Sequence, residues 1–320
     1  MKLPVALHTA VFHSLEDQIA VIDQTGNILE VNRAWQYFGI ENRLPSGYSC
    51  LGRNYLETLS KAAIAGDSLA DEALQGVAAV LAGKREFFCF EYPCHSPDEK
   101  RWFTMRITSL HGEEGEGFFV ISHHNITQRK LAEEQVEEIA KQDPLTGLSN
   151  RRAFHPFLSN EMRRSIREQT PIGLALIDVD YFKNYNDEFG HAAGDQCLLS
   201  VSKILLAHAR RPGDLVARIG GDEFALILGN TGLEMAGEIA ESILKAILDL
   251  KIVIGESRQV TLSIGLLSVV PHEKQSEDFL IQEADKALYL AKSAGRNQVV
   301  YAQPSINGQA QPMNPPDNAR

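Results

Sequence analysis

Polar and apolar positions along this chain change period several times, and each change marks an element. Ile19-Ala20-Val21-Ile22-Asp23 and Ile28-Leu29-Glu30-Val31-Asn32 are short aliphatic runs separated by Gly26-Asn27, which predicts strand, turn, strand. Ala34, Trp35 and Phe38 then follow a helical spacing, and a longer helical region carries the internal glycines Gly66 and Gly76. Phe87–Tyr92, Arg101–Ile107 and Phe118–Ser122 read as three further strands, connected through Pro93 and Pro97 and through the Gly112 to Gly117 cluster. Ahead of them, Val5, His8, Val11 and Phe12 fall on one face of a short helix expected to pack on a neighbour.

From Ile126 the text turns charged and helical. Ala132, Val136, Ile139 and Asp143 recur at four-three-four spacing, which fits either a short coiled-coil seam or an ordinary amphipathic linker. Pro144 is expected to end that helix, and Ser149 or Asn150 to cap the next one. Ile172–Val179 is almost continuously apolar, the pattern of a strand buried on both faces. Leu280, Ala284, Ala287, Leu288 and Ala291 repeat with helical period, with Gly295 placed as a C-terminal cap.

Between these lies Leu215–Leu228, two apolar runs around Gly220-Gly221, expected to form a tight hairpin whose glycines adopt positive φ. Asp222 and Glu223 open its second strand. Adjacent carboxylates repel unless a cation or proton intervenes. Asp178 and Asp180 end the buried strand, one residue apart and therefore on one face. Burying such groups costs free energy unless they are paired or bound to metal. We expect Asp178 and Asp222 to converge at one sheet edge and to hold Mg²⁺ or Mn²⁺, whose hard-oxygen preference suits them. The sequence has neither a Walker A loop nor an EF-hand: Phe182 and Lys183 replace the third ligand and the glycine of that loop.

Composition narrows the classes. The 320 residues suffice for two domains, and the net charge of −11 opposes binding to nucleic acid polymers or anionic membranes. No apolar run reaches the roughly 18–20 residues of a membrane span, and Leu3–His8 is too broken for a signal peptide. Cys50, Cys89, Cys94 and Cys197 form no disulfide pattern, in keeping with reduced thiols and a cytoplasmic location. His95, His111, His123 and His124 read as ordinary polar groups, not haem or metal ligands. From Pro304 onward the Pro/Asn/Gln/Gly composition predicts a disordered tail.

The string Gly220-Gly221-Asp222-Glu223-Phe224 resembles the motif of GGDEF-type diguanylate cyclases, which condense two GTP into cyclic di-GMP. Asp143–Arg152, Asp178–Asp195 and Lys292-Ser293-Ala294-Gly295-Arg296-Asn297 resemble the same family. The resemblance implies a fold like the nucleotidyl-cyclase palm. It also implies metal ligation by Asp178, the Val179 carbonyl and Asp222, with Glu223 assisting at metal or proton. It implies phosphate contacts from the amides of Tyr181, Phe182 and Lys183 and from Lys292 and Arg296, beside Gly220 and Gly221. Asn186 and Asp195 would read the guanine edge, and Arg211 with Asp214 would form an inhibitory product site. Tyr181 departs mildly from the family's usual phenylalanine, and no arginine lies between Arg218 and Arg258 to complete a second clamp.

Ile22–Ile28, Arg101-Trp102-Phe103 and Ile126–Lys130 resemble a PAS sensor domain, whose ligand the sequence leaves open. The expected organisation is a helix over 1–15, an antiparallel α+β PAS-like domain over 16–127 and a coiled-coil linker over 128–144. An α/β cyclase domain follows over 145–302, then the tail over 303–320. One cyclase site holds one GTP, so catalysis implies a homodimer joined through linker and sensor. The alternatives are a silent GTP or cyclic di-GMP receptor and a PAS scaffold. A phosphodiesterase would need a further domain, and little sequence follows Tyr301.

Overall fold

The computed structural model describes residues 4–42, 48–110, 117–254 and 258–303, and divides into two compact units, Met1–Gln135 and Val136–Arg320. His111, most of the glycine cluster after it and the tail from Pro304 lie outside the described residues.

The first unit opens with α1 (Val5–Ser14), none of whose residues is buried; of the expected packing face, Val5, His8 and Val11 are exposed and Phe12 is half-buried. Next come β1 (Gln18–Asp23), β2 (Ile28–Val31), α2 (Arg33–Glu41), α3 (Tyr55–Ile64), α4 (Ser68–Leu81), β3 (Phe87–Pro93), β4 (Trp102–Ser109) and β5 (Phe118–Asn125). The strands form an antiparallel sheet in the order β2-β1-β5-β4-β3, the arrangement expected of a PAS-like domain. Side-chain caps start the helices: Asn32 accepts from the Trp35 N–H, Asn54 from Glu57 and Asp67 from Leu69 and Ala70. Gly26 takes φ +88°, as the β1–β2 turn requires.

α5 (Thr127–Ala140) leaves the sensor sheet, anchored by ion pairs from Arg129 and Lys130 to Glu91 on β3. It ends before the predicted stop at Pro144. Asp143 therefore lies outside the helix and cannot be the last position of a seam. Val136 and Ile139 are 66% and 71% exposed.

The second unit contains β6 (Ser149–Asn150), α6 (Arg151–Glu168), β7 (Ile172–Val179), α7 (Phe182–Phe189), α8 (His191–His208), β8 (Asp214–Arg218) and β9 (Glu223–Gly229). It continues through α9 (Leu233–Asp249), β10 (Val253–Ile254), β11 (Arg258–Gln259), β12 (Leu262–Val269), α10 (Glu277–Ser293) and β13 (Gln298–Tyr301). Asn150 caps α6 through the N–H groups of Arg152 and Ala153. The main sheet runs β13-β12-β7-β9-β8-β6, with β7 at its centre.

Every β7 residue is buried, because alternate side chains serve two cores. Ala175, Ile177 and Val179 pack with α8 and α9, whereas Leu174 and Leu176 pack with Phe154, Leu158 and Met162 of α6 and Leu280, Ala284 and Leu288 of α10. Each of the larger of these side chains (Val, Leu, Ile, Phe, Met) contributes about 1.5–3 kcal/mol on burial. Gly265 on β12 lets α10 lie directly on the sheet: a Cβ there would meet the Ala284 carbonyl oxygen and the Leu288 nitrogen at 2.2 Å. This close approach fixes where the end of α10, and with it Lys292, reaches the β7 edge. Among the described residues no helix is long and apolar enough to cross a membrane.

Candidate active site

The buried strand β7 ends beside the β8–β9 hairpin. Asp178 pairs in register with Glu223, and the Val179 N–H donates to the Asp222 carbonyl at 3.1 Å. The convergence expected of Asp178 and Asp222 is present. Burial, and then the negative charges of Asp222 and Asp180, push the Asp178 carboxyl above its usual range, against the opposing pull of Lys292. The Lys292 ammonium lies 2.7 Å from Asp178 Oδ2. A cation thus already stands where the carboxylates need one.

The hairpin differs from the expected primed turn. Arg218 pairs with Phe224, and the N–H groups of Ile219 and Gly220 both donate to the Glu223 carbonyl, leaving a wider loop. Neither Gly220 nor Gly221 has positive φ. Gly220 is needed for space instead: a Cβ would lie 2.5 Å from Glu223 Oε2, whereas one at Gly221 would meet nothing. Arg218 holds the loop, donating to the Gly221 carbonyl at 3.1 and 2.7 Å and to Asp143 Oδ1 at 3.0 Å. Asp143 also accepts from the N–H and hydroxyl of Thr146. The segment that opens this domain is therefore tied to the Gly220–Glu223 loop.

Asp180 does not act beside Asp178. It is buried, accepting from the hydroxyls of Thr261 and Ser263 at 2.6 Å each and from the Asn297 N–H at 3.1 Å. It joins the end of β7 to β12 and to the turn after α10. There Gly295 takes φ +119°, the C-terminal break expected of it, and Arg296 follows at φ +66°. The Arg296 guanidinium stacks 4.6 Å from the Tyr181 ring centroid, and Arg258 lies 5.3 Å from the same ring.

Tyr181, itself at φ +58°, precedes α7. The Phe182 and Lys183 N–H groups open that helix with no upstream helical carbonyl to accept them, the usual preparation for an anion. Further along α7, the Asn186 Oδ1 is buried without a hydrogen-bond partner among the described residues. Gly194 packs so tightly on it that a Cβ would come within 1.8 Å. Asp195, exposed on α8, follows directly. Orphaned buried acceptors are rare and costly.

Arg211 and Asp214 stand apart, at the far end of β8, about 13 Å along the strand from Arg218. Asp214 Oδ2 accepts from the backbone N–H groups of Arg210 and Arg211, and Oδ1 is buried without a partner among the described residues. No ion pair joins the two side chains. Sequence reasoning missed Asp180 as a hub, the Asp143–Arg218 clamp and Arg258. The hydroxyls at 261 and 263 on the neighbouring strand were the available sign for the first.

Among the described residues no cluster of three or more His, Cys, Asp or Glu side chains could hold a metal by itself. The two carboxylates nevertheless fit a hard divalent cation. They are crowded, partly buried and faced by a lysine ammonium in a cation's place, and they leave positions for phosphate and water oxygens.

The family described as "Diguanylate cyclase, GGDEF domain" matches residues 140–298, and "PAS fold" matches residues 12–131. Diguanylate cyclase DgcM of Escherichia coli K12 is 41% identical over 180 residues, covering 56% of this chain and 42% of DgcM. The cyclic di-GMP phosphodiesterase PdeR of the same organism is 29% identical over 299 residues, covering 90% of this chain and 42% of PdeR. A solved structure of the coiled coil and GGDEF domain of DgcB from Caulobacter crescentus, in complex with c-di-GMP, superposes with a TM-score of 0.51. It is 30% identical and covers 55% of this chain and 93% of that one.

The chain thus belongs to the GGDEF diguanylate cyclase family, with a PAS domain preceding the GGDEF domain. It spans about two-fifths of the length of DgcM and PdeR.

Proposed function

We propose that this chain condenses two GTP into cyclic di-GMP and two pyrophosphates. The observation that carries the reading is the meeting of Asp178, Asp222 and Lys292 at the end of β7. In the reaction each ribose 3′-oxygen forms a bond to the other nucleotide's α-phosphorus. Each α–β phosphoanhydride bond breaks, and each 3′-hydroxyl proton is released.

Asp178, the Val179 carbonyl and Asp222 would hold Mg²⁺ or Mn²⁺, which neutralises phosphate charge and acidifies the 3′-hydroxyl. Glu223 receives the proton or supports the cation. The amides of Tyr181, Phe182 and Lys183 bind phosphate oxygens beside Gly220 and Gly221, and Lys292 and Arg296 grip the β- and γ-phosphates. A carboxylate matches the guanine N1–H and N2–H₂ edge, which is the role of Asp195, with Asn186 beside it. Arg211 and Asp214 bind product and restrain turnover.

One domain holds one GTP, so the working unit is a homodimer. Exposed Val136 and Ile139 on α5 offer a seam, and the PAS domain regulates pairing through that helix. A GTP pool for substrate places the protein in the cytoplasm. The second reading, a silent GTP or cyclic di-GMP receptor, draws on the similarity to PdeR along 90% of the chain. Intact Asp178, Asp222 and Glu223 favour catalysis.

The test is the dependence of specific activity on protein concentration. A cyclase working as a dimer loses specific activity on dilution below its dimer constant, and a receptor shows no turnover at any concentration.

A further inference from the structure

Two guanidinium groups converge on one ring at the edge of the candidate active site. The Arg296 Cζ lies 4.6 Å from the Tyr181 ring centroid and the Arg258 Cζ 5.3 Å from it. The two cations therefore stand within about 10 Å of one another, where like charges repel. They come from separate segments. Arg296 belongs to the turn after α10, whereas Arg258 opens β11, the second strand of the short β10–β11 hairpin. Arg258 is exposed and Arg296 half-buried, so a solute can reach both.

Their convergence is built into the backbone through Asp180. Its carboxylate accepts from the hydroxyl of Thr261, three residues after Arg258, and from the N–H of Asn297, the residue after Arg296. Its own N–H donates to the Thr261 carbonyl at 2.9 Å, and Tyr181 follows it directly. One buried carboxylate thus fixes the roots of both arginine arms and of the ring between them.

Asp180 does not neutralise the pair. Its oxygens are taken by Thr261, Ser263 and Asn297, and Arg296 Nε stays 3.9 Å from Oδ1. The electron-rich face of Tyr181 offsets part of the repulsion. An anion held between the guanidiniums removes the rest. The Phe182 and Lys183 N–H groups open α7 beside the same ring, so the backbone favours an anion at that place as well.

We propose that Arg258 binds the terminal phosphate of GTP, as a third cation beyond Lys292 and Arg296, and that the Tyr181 ring carries it there. This role rests on the cyclase reading. Lys292 touches Asp178, at the metal end where the α-phosphorus reacts. Arg296 lies four positions on, and Arg258 enters from another hairpin on the Tyr181 side. The phosphate furthest from the reacting centre is the one that falls to it. A guanidinium fork grips a single phosphate with two N–H groups. Arg258 therefore favours a triphosphate over a diphosphate while leaving the base and the α-phosphorus untouched.

The test is calorimetric titration of the full chain with 3′-deoxy-GTP and 3′-deoxy-GDP in Mg²⁺. Both lack the attacking hydroxyl, so they report binding without turnover. Arg258→Ala is expected to weaken the triphosphate at least tenfold and the diphosphate less than threefold. Arg258→Lys, which keeps the charge without the fork, should recover part of the loss. Arg258→Gln serves should circular dichroism show the alanine variant misfolded, with the same unequal loss expected. Equal losses for both nucleotides would make Arg258 a mere support of the Tyr181 loop and overturn the proposal. Unchanged triphosphate binding in the folded variants overturns it while leaving the cyclase reading intact. A parent chain that binds neither nucleotide overturns both.

Discussion

Lys292 Nζ stands 2.7 Å from Asp178 Oδ2, so the lysine expected to grip phosphate is paired with the carboxylate expected to hold metal. The two roles compete: a cation arriving at Asp178 must displace the ammonium, which then becomes free for the nucleotide. Lys292→Met should therefore tighten binding of free Mn²⁺, measured by electron paramagnetic resonance, by about threefold to tenfold. The same variant should raise the KM for GTP by about tenfold or more, because a phosphate contact is lost. Unchanged or weaker Mn²⁺ binding would show that the pair does not guard the site.

Arg218 transmits position, not chemistry. It spans Asp143 and the Gly221 carbonyl with three separate donors. A lysine keeps the charge but not the planar fork. Arg218→Lys is expected to lower kcat by about tenfold through misplacement of Asp222 and Glu223. The melting temperature should fall by only a few degrees, as circular dichroism would report. Equal kcat in variant and parent would show that the loop holds its position without the clamp.

His123 predicts a pH dependence of the sensor unit. Its imidazole is held down from 6.5 to about 4 by burial. Between those values the unfolded chain binds a proton that the folded chain refuses. Its contribution to stability is full above pH 6.5 and is lost as pH falls toward 4, by about 3 kcal/mol in total. Denaturant unfolding from pH 7 to pH 4 should show His123→Gln with a correspondingly shallower loss than the parent. Parallel slopes would mean that the ring is protonated in the folded state.

Much of this architecture was legible because the signals are local. A continuous apolar run announced β7, and its alternate residues do feed two cores. Gly26 as part of a turn and Gly295 as a helix C-cap were legible from their place beside periodic segments, and both take positive φ. Gly220 shows the limit of that logic: sequence suggested a conformational need, whereas the structure shows a steric one against Glu223. Asp143 reads as the end of a helical seam because spacing cannot reveal a partner 75 positions away. The same blindness to distant pairing hid Asp180, held by Thr261 and Ser263, and the joining of Tyr55, Tyr92 and His123 around a cavity.

The most direct test incubates the purified full chain with GTP and Mg²⁺ and separates the nucleotides by chromatography. Cyclic di-GMP and pyrophosphate are expected in a 1:2 ratio, with product falling at least about a hundredfold in a folded Asp222→Ala variant. Formation of product at the parent rate by Asp222→Ala would contradict the assignment of the site. Absence of product from a verified dimer that binds GTP would make the chain a receptor.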